Sequence, residues 1–494
     1  MNNSKKSLQF NAFISGMQKL LSIIFPLITF PYITRVLQVE TVGKINFVTS
    51  VISYFILIAG LGINNYAIRE GASIRNDKKK IEQFSSEIYT INIISTIFAY
   101  AILLITYFFW EKLHDYTLLI IIQSFSIIGG TIGINWLYSI YEDYVYITIR
   151  TLIFQIMSLV LMFLFVKEQH DYYLYTFIVV LANVGSNIFN LIHSRKYLKL
   201  KVTKDINLKK HLKPILIIFA STIAITIYVN SDITILGWLC DDYTVGIYSV
   251  SVKVYSILKQ VIASIIIVAL PRMSSLFKKG EIIEYKENVN TFFNVLFTIT
   301  LPSAIGIFVI ADYIVRIIAG PDYLQATTSL KILSISLIFS VFSSFVTYAM
   351  ILPCKNEKVQ LKATIISAIE NLVLNILLVP IFKENAAAFT TLIAELIVFI
   401  IEFTGFKKYN KEISQNIISV KKKNAFSCII GCLFIALVSI LINFININYI
   451  LKMMLIIILS LVIYMLALII FKNDLAIWLM NYLKKIKGKL HSFN

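Results

Sequence analysis

Charged side chains that lie inside long apolar runs are the residues of this sequence that could do chemistry. The cations among them are Lys19, Lys253 and Lys259. A charge at the centre of a bilayer costs about 2.5–3.5 kcal/mol on insertion scales, so each cation needs a compensating partner. Ser15, Lys19 and Ser22 have i, i+4, i+7 spacing and share one helix face, which we expect to meet protein or water rather than lipid.

Acidic side chains occupy the same kind of position. They are Asp232, Glu370, Glu395 and Glu402, the last two seven residues apart and hence on one helix face. A carboxyl group in low-dielectric surroundings tends to bind a proton, and acidic relays mark pumps, so the glutamates could form a proton or sodium site. The alternative is hydrogen-bonded packing with Asn371 and Asn375. For Asp232 the sequence favours ion pairing or gating.

Other chemistry-bearing residue types form no recognisable site. The five histidines and four cysteines show no metal-ligand spacing, and no GxxxxGK[ST] phosphate loop is present. Trp136 could stack on a sugar, or anchor the chain at the inner membrane interface. The sequence therefore predicts no metal, no cofactor and no catalytic residue, and favours a protein that is not an enzyme.

The elements that must position these side chains are membrane spans. Of the 494 residues, 58% are hydrophobic and 15% charged, against roughly 45–50% and about 25% in soluble domains. Fourteen apolar runs are each long enough to cross a bilayer; they cover 10–32, 44–65, 87–109, 117–138, 148–166, 171–192, 214–236, 246–270, 291–310, 329–352, 361–381, 386–405, 424–443 and 449–471. The pattern predicts an all-α polytopic membrane protein with about 14 transmembrane helices. It excludes a water-soluble enzyme and a secreted disulfide scaffold.

The charge balance indicates orientation and partners. Lys and Arg number 45 against 27 Asp and Glu, a net charge of +18. A basic balance is also typical of nucleic-acid binding, but in a chain this apolar it favours cytoplasmic loops and anionic membrane lipid, without nucleic acid. With the N-terminus inside, the breaks that are rich in Lys and Arg fall on the inner side. Both termini are therefore expected to be cytoplasmic, with a retained first helix rather than a signal peptide.

An internal repeat divides the chain. Thr41-Val42-Gly43 opens the second run and Thr244-Val245-Gly246 opens the eighth, at an offset of 203. The longest basic break, 193–213, lies between the two copies and carries eight Lys or Arg. Two six-helix repeats of one orientation are an architecture of alternating-access carriers. The predicted parts are an N-terminal bundle 1–192, a basic cytoplasmic linker 193–213, a C-terminal bundle 214–406, a basic loop 407–423, two further helices within 424–471 and a basic amphipathic tail 472–494.

Several short motifs resemble a known family. They are Phe25-Pro26, Pro31-Tyr-Ile-Thr-Arg35, Gly60-Leu-Gly62-Ile-Asn-Asn-Tyr66, Asn230-Ser-Asp232, Gly246-Ile-Tyr248 through Lys253, and Leu270-Pro271-Arg272. Together they resemble the Wzx-type flippases of bacterial polysaccharide repeat units (O-antigen, capsule or exopolysaccharide). Those flippases belong to the multidrug/oligosaccharidyl-lipid/polysaccharide (MOP) exporter superfamily, which also holds multidrug exporters and lipid II flippases. The resemblance covers essentially the whole chain.

The resemblance implies a function and a cavity. It implies export of undecaprenyl-pyrophosphate-linked oligosaccharide from the inner to the outer leaflet of the bacterial cytoplasmic membrane, with polymerase and chain-length machinery as candidate partners. It also implies a V-shaped, MATE-like pair of bundles around a cavity lined by spans 1, 2, 7 and 8. Lipid II flippases place pyrophosphate-binding arginines in spans 1 and 8; Lys19 and Lys253 stand there as cations, and Lys259 lies further along span 8. Lysine keeps the charge but loses the bidentate fork of arginine.

Two alternatives stay open at this stage. For the lysines, the alternative to binding pyrophosphate is a structural ion pair with Asp232 or Glu395. For the whole protein, it is a multidrug cation/proton or cation/sodium antiporter of the same superfamily, which would have an acidic cavity. A membrane glycosyltransferase would need a large external loop with paired acids, and the acidic external pair, Asp241-Asp242, lies in a short break.

Overall fold

Helices are the regular secondary structure that the described part of the chain contains, and no strand occurs in it. The computed structural model describes residues 8–267, 269–415, 417–477 and 480, and their side chains except those of 8–15, 17–23 and 221. Inside a bilayer a helix satisfies its own backbone N–H and C=O groups, which find no water there. Twelve helical stretches in the described residues are long and apolar enough to cross a membrane. This confirms an all-helical, multi-pass membrane protein.

The helices follow one another with short connections. In the first half they are α1 Leu8–Gly60, α2 Ile63–Ile74, α3 Lys78–Phe109, α4 Thr117–Gly133, α5 Asn135–Ile140, α6 Tyr144–Phe165, α7 Tyr172–Val180, α8 Ser186–Ser194 and α9 Leu208–Leu239. In the second half they are α10 Asp242–Ile267, α11 Ala269–Lys279, α12 Ile282–Ile318, α13 Ala326–Val346, α14 Glu357–Tyr409, α15 Lys411–Ser414, α16 Lys422–Asn443 and α17 Tyr449–Ile470. Two π-helical turns, Leu181–Gly185 and Thr347–Ile351, follow α7 and α13.

The two longest helices, α1 and α14, are each interrupted near the middle. Gln38 in α1 has φ 63° and Lys383 in α14 has φ 48°, so neither residue is helical. Both lie where the sequence places a break between two apolar runs. A positive φ is uncommon for a residue with a Cβ, and here it marks a change of chain direction between two helical segments.

Residues Met1–Ser249 form the first of two compact units. One of its cores collects Ile63, Tyr66, Ile81 and Leu137 from α2, α3 and α5. The predicted linker 193–213 lies within this unit and is bound to α3. The Lys201 N–H donates to Ser86 Oγ at 3.3 Å, the Thr203 N–H donates to Thr90 Oγ1 at 3.1 Å, and His211 Nε2 lies 2.8 Å from Glu87 Oε2. Polar side chains on one stretch of α3 therefore hold the basic segment in place.

Residues Val250–Asn494 form the second compact unit. Within it α13 packs between α12 and α14, while α16 and α17 pack against each other and against α12. Asp474, beyond α17, forms ion pairs with Lys421, at 2.7 Å, and Lys423. Burial alone would raise the pKa of Asp474, but hydrogen bonds from these lysines and from Asn424 outweigh it and hold the pKa at about 2. The predicted tail 472–494 lies mostly outside the described residues.

Candidate functional site

Two of the intramembrane charges predicted from the sequence meet in the second unit. Lys259 Nζ of α10 lies 2.6 Å from Glu395 Oε1 of α14. The Tyr255 hydroxyl, one helical turn before Lys259, donates to the same oxygen at 3.0 Å. Glu395 is 3% exposed, whereas the Lys259 side chain is about a third exposed. The carboxylate thus has its charge partner and a neutral donor, which a buried anion requires.

Glu402 lies two turns further along α14 and is also buried, with 2% exposure. Its Oε1 accepts a hydrogen bond from Thr347 Oγ1 at 2.8 Å, and its Oε2 has no hydrogen-bond partner among the described residues. Thr347 opens the π-helical turn that follows α13. A carboxyl group with one neutral donor and one bare oxygen can hold a proton or meet a small cation.

The other charges predicted within these spans include Lys253, Glu370 and Lys19. Lys253 is half-buried on α10, two turns before Lys259, and Glu370 is half-buried in the first part of α14. The side chain of Lys19 is outside the described residues, although its backbone belongs to α1.

Asn371 and Asn375, the amides named with the glutamates, form a buried cluster with Thr390 across the bend of α14. Asn375 Nδ2 donates to Asn371 Oδ1 at 3.1 Å, and Thr390 Oγ1 donates to Asn375 Oδ1 at 2.8 Å. All three side chains are buried. The hydrogen bonds join the two helical segments on either side of Lys383.

In the first unit, Asp232 of α9 is buried and accepts a hydrogen bond from the Tyr248 hydroxyl of α10 at 2.9 Å. Two residues along, Thr234 Oγ1 donates to Ser50 Oγ at 3.0 Å and lies 3.2 Å from the Tyr54 hydroxyl, both on α1. These polar contacts fasten α9 to its neighbours on two sides. They place Asp232 at a junction between helices.

The two repeated glycines lie against each other in the same unit. A Cβ on Gly43 would stand 1.8 Å from the Asp242 carbonyl oxygen and 2.9 Å from the Gly246 nitrogen. A Cβ on Gly246 would stand 2.1 Å from the Val39 carbonyl oxygen. Even weak C–H···O contacts keep carbon and oxygen about 3.3–3.6 Å apart. The start of α10 and the second part of α1 can therefore approach this closely because both residues lack a side chain.

Trp136, 3% exposed, lines a cavity of about 220 Å³ in the first unit. Asn64, Asn92, Thr131 and Asn135 supply polar groups to the same cavity, and Gly60 and Gly130 leave open space beside it. The Trp136 Nε1–H has no hydrogen-bond partner among the described residues. The cavity could accept a hydroxyl or amide group from a ligand.

Several residues of these sites were not predicted from the sequence. Tyr255, Thr347 and Tyr248 are three of many tyrosines and threonines in apolar runs, and their partners lie 16 to 140 residues away. The helical spacing of Tyr255 and Lys259 could have pointed to Tyr255, because residues four apart share a face.

Breaking the Lys259–Glu395 pair on one side is expected to destabilise the second unit. Lys259→Met leaves the buried Glu395 carboxylate without its cation, which we expect to cost about 1–3 kcal/mol of folding free energy. Glu395→Gln should cost less, because the Lys259 side chain is less buried than the Glu395 side chain. Thermal unfolding of the purified protein in detergent measures both, with Glu402→Gln as a control that keeps the Thr347 hydrogen bond. Equal losses in Lys259→Met and in the double variant Lys259→Met/Glu395→Gln would contradict the pairing.

Comparison with solved structures identifies the fold. A lipid II flippase, MurJ, in an inward closed conformation superposes with a TM-score of 0.73 at 17% identity, over 94% of this chain and 99% of MurJ. An inward-facing multidrug resistance MATE family transporter of the MOP superfamily superposes with a TM-score of 0.63 at 13% identity, over 82% of this chain and 99% of the transporter. Lipid II flippases and multidrug exporters, the two groups expected from the sequence to share the fold, are therefore confirmed as fold relatives.

Sequence comparison identifies the family. The model of the family described as polysaccharide biosynthesis protein matches residues 8–277, more than half of the chain. A putative O-antigen transporter of Escherichia coli (strain K12) is 27% identical over 415 residues, which are 81% of this chain and 96% of that protein. These matches bear out the resemblance drawn from the short motifs: the chain belongs to the polysaccharide biosynthesis protein family.

Proposed function

We propose that this protein is a flippase that moves undecaprenyl-pyrophosphate-linked oligosaccharide repeat units from the inner to the outer leaflet of the bacterial cytoplasmic membrane. The observation that carries the proposal is the family match, joined by the near-complete coverage of a relative described as a putative O-antigen transporter. The shared fold of a lipid II flippase supports it. Polysaccharide polymerase and chain-length machinery are its proposed protein partners.

The proposed architecture has fourteen spans. Two of the twelve membrane-length stretches are 51 and 53 residues long, and each contains one of the non-helical residues Gln38 and Lys383. An α-helix needs about 20 residues to cross a bilayer, so each long stretch has the length for two crossings. We assign the spans to bundles 1–192 and 214–406 with two added helices within 424–471. Both termini are cytoplasmic in this arrangement, as the Lys and Arg distribution favours.

Lys19, Lys253 and Lys259 are the proposed cations for the pyrophosphate. In this structure Glu395 holds Lys259, so the Lys259 charge becomes available to a substrate when Glu395 is protonated or moves away. Lys253 lies two turns nearer the start of α10 and is half-buried. A desolvated pyrophosphate needs cations, because an unpaired charge in low dielectric is costly. We propose that Trp136 and the amides around its cavity contact sugar groups.

Membrane potential is the proposed driving force, with the carboxylates as coupling or gating groups. Moving two negative charges outward across an inside-negative membrane is favoured by about 4.6 kcal/mol per 100 mV, from about 2.3 for each charge. Glu395 and Glu402 share a helix face and a buried environment, so a proton or sodium ion could bind there and release Lys259. We assign Glu370 to the same coupling role and Asp232, at its helix junction, to gating.

The alternative function is a multidrug cation antiporter driven by protons or sodium. The buried carboxylates Asp232, Glu395 and Glu402 favour it, since a cationic drug would pair with an acidic cavity. The lysines favour the flippase, because positively charged side chains in the cavity would repel a cationic drug.

The deciding experiment is a deletion strain complemented with the intact gene. Surface polysaccharide and the sidedness of the lipid-linked repeat unit are measured in parallel. The flippase predicts lost surface polysaccharide, with the repeat unit accumulated in the inner leaflet. Normal polysaccharide together with greater sensitivity to cationic dyes would overturn the flippase and support the antiporter.

A further inference from the structure

A groove with one charged end runs between α6 and α8 on the surface of the first unit. Its volume is about 510 Å³. Ile149, Ile153 and Ile192 form its walls, and each of these side chains is more than half exposed. The Phe154 and Phe189 rings, 5.9 Å apart, lie at its apolar end. Exposed apolar walls of this kind are solvated by lipid chains in a membrane protein.

Arg150 stands at the other end of the groove and is 8% exposed. Its Nη1 donates to Asn190 Oδ1, and its Nη2 lies 3.4 Å from Asn135 Oδ1. Its Nε has no hydrogen-bond partner, and no carboxylate among the described residues forms an ion pair with it. A buried guanidinium with an unused donor and no counter-charge is costly, so this end of the groove is built for an anion.

Two stacked aromatic rings lie beside Arg150. The His193 and Tyr146 rings stack with centroids 3.9 Å apart and planes within 8°, and the Arg150 guanidinium lies 5.9 Å from the Tyr146 ring centroid. Asp143 Oδ2 accepts a hydrogen bond from the Tyr197 hydroxyl at 2.6 Å and lies 3.5 Å from His193 Nε2, so the nearby acid contacts these two groups. These contacts orient the cationic end without neutralising Arg150.

The position of the groove along the helices indicates which lipid leaflet it meets. Arg150 lies in the second turn of α6 and His193 in the last turn of α8, next to the basic segment 193–213. Segments rich in Lys and Arg face the cytoplasm, where the leaflet carries anionic lipids. The charged end therefore lies at the inner headgroup level, with the apolar walls pointing into the hydrocarbon.

We propose that this groove is a binding site for an anionic phospholipid of the inner leaflet. The lipid phosphate pairs with the guanidinium of Arg150, which lines the groove, and an acyl chain lies along Ile149, Ile153 and Ile192. Charge-assisted hydrogen bonds from arginine to phosphate are strong and directional. A free phosphate would pair with the same charge, but it would make no contact with the apolar walls, so the lipid is the proposed source.

Native mass spectrometry of the full-length protein in mild detergent tests the site. The protein is titrated with phosphatidylglycerol and, separately, with phosphatidylcholine of the same acyl chains. We expect one tightly retained phosphatidylglycerol and an affinity about tenfold lower in Arg150→Gln. Arg195→Gln removes the same charge from an exposed position at the same end of α8 and should change nothing.

A second variant keeps the test valid if Arg150→Gln fails to fold. Ile153→Trp fills the groove from an exposed position and leaves Arg150 in place, and it should also weaken phosphatidylglycerol binding. Equal retention of both lipids in the native protein would overturn the proposal. Displacement of the bound signal by inorganic phosphate, with no phosphatidylglycerol retained, would assign the site to a free anion instead and overturn the lipid assignment.

Discussion

Replacing Gly43 or Gly246 with alanine is expected to lower repeat-unit transport by about one to two orders of magnitude while the protein remains in the membrane. Each new Cβ would stand about 2 Å from a backbone carbonyl oxygen, and a backbone cannot move aside as a flexible side chain can. Overpacking of this kind typically costs about 1–3 kcal/mol. The arrangement in which α10 begins against the second part of α1 would therefore be depopulated by one to two orders of magnitude.

Surface polysaccharide in the complemented deletion strain measures the loss of transport. A second measurement is labelling of Cys240 by a membrane-impermeant maleimide, after Cys354, Cys428 and Cys432 are changed to serine. Cys240 lies two residues before the start of α10, so separation of the two glycines should speed its labelling. Gly306→Ala is the matched control, because a Cβ there meets open space. Wild-type polysaccharide and unchanged labelling would show that this close contact has no part in transport.

Removing the charge of Lys253 or Lys19 is expected to lower flipping by about tenfold or more. The pyrophosphate would then enter a low-dielectric cavity with one cation fewer, and a charge at the bilayer centre costs about 2.5–3.5 kcal/mol. Lys253→Gln and Lys19→Gln test the charge, while Lys253→Arg should retain activity because it keeps the cation.

Lys209→Gln serves as the control for lost positive charge, since Lys209 is exposed at the start of α9. The measurement is the sidedness of the lipid-linked repeat unit, corrected for the amount of protein in the membrane. Intact flipping in both glutamine variants would remove the cationic cavity from the mechanism and leave the family assignment untouched.

The helical fold could be predicted from the sequence because hydrocarbon permits few alternatives. Apolar runs of about 20 residues interrupted by charges have essentially one stable form in a bilayer. The breaks at Gln38 and Lys383 coincide with polar interruptions of the apolar pattern. The repeated Thr-Val-Gly motifs indicated related positions, although not that Gly43 and Gly246 touch, because a motif does not record distance in space.

The partners within the sites could not be predicted. Two lysines of α10, Lys253 and Lys259, were candidate partners for Glu395. Which of them forms the ion pair depends on the relative rotation of α10 and α14. A long cationic side chain near a helix end commonly reaches the aqueous interface, whereas the structure buries Arg150 beside Asn190. Packing between distant segments decides such choices, and local sequence carries little record of it.

The hydrogen-bond donor to Glu402, Thr347, is the first residue of the π-helical turn Thr347–Ile351. A π turn holds one residue more than an α turn, and each residue rotates a helix by about 100°. Loss of a single residue from this turn would restore an ordinary α-helix. The side chains before the turn would then be rotated by about 100° relative to those after it. The environment of Glu402 therefore depends on chain length as much as on residue identity. Among related chains, a one-residue gap here would signal a different carboxylate chemistry even where every charged residue is retained.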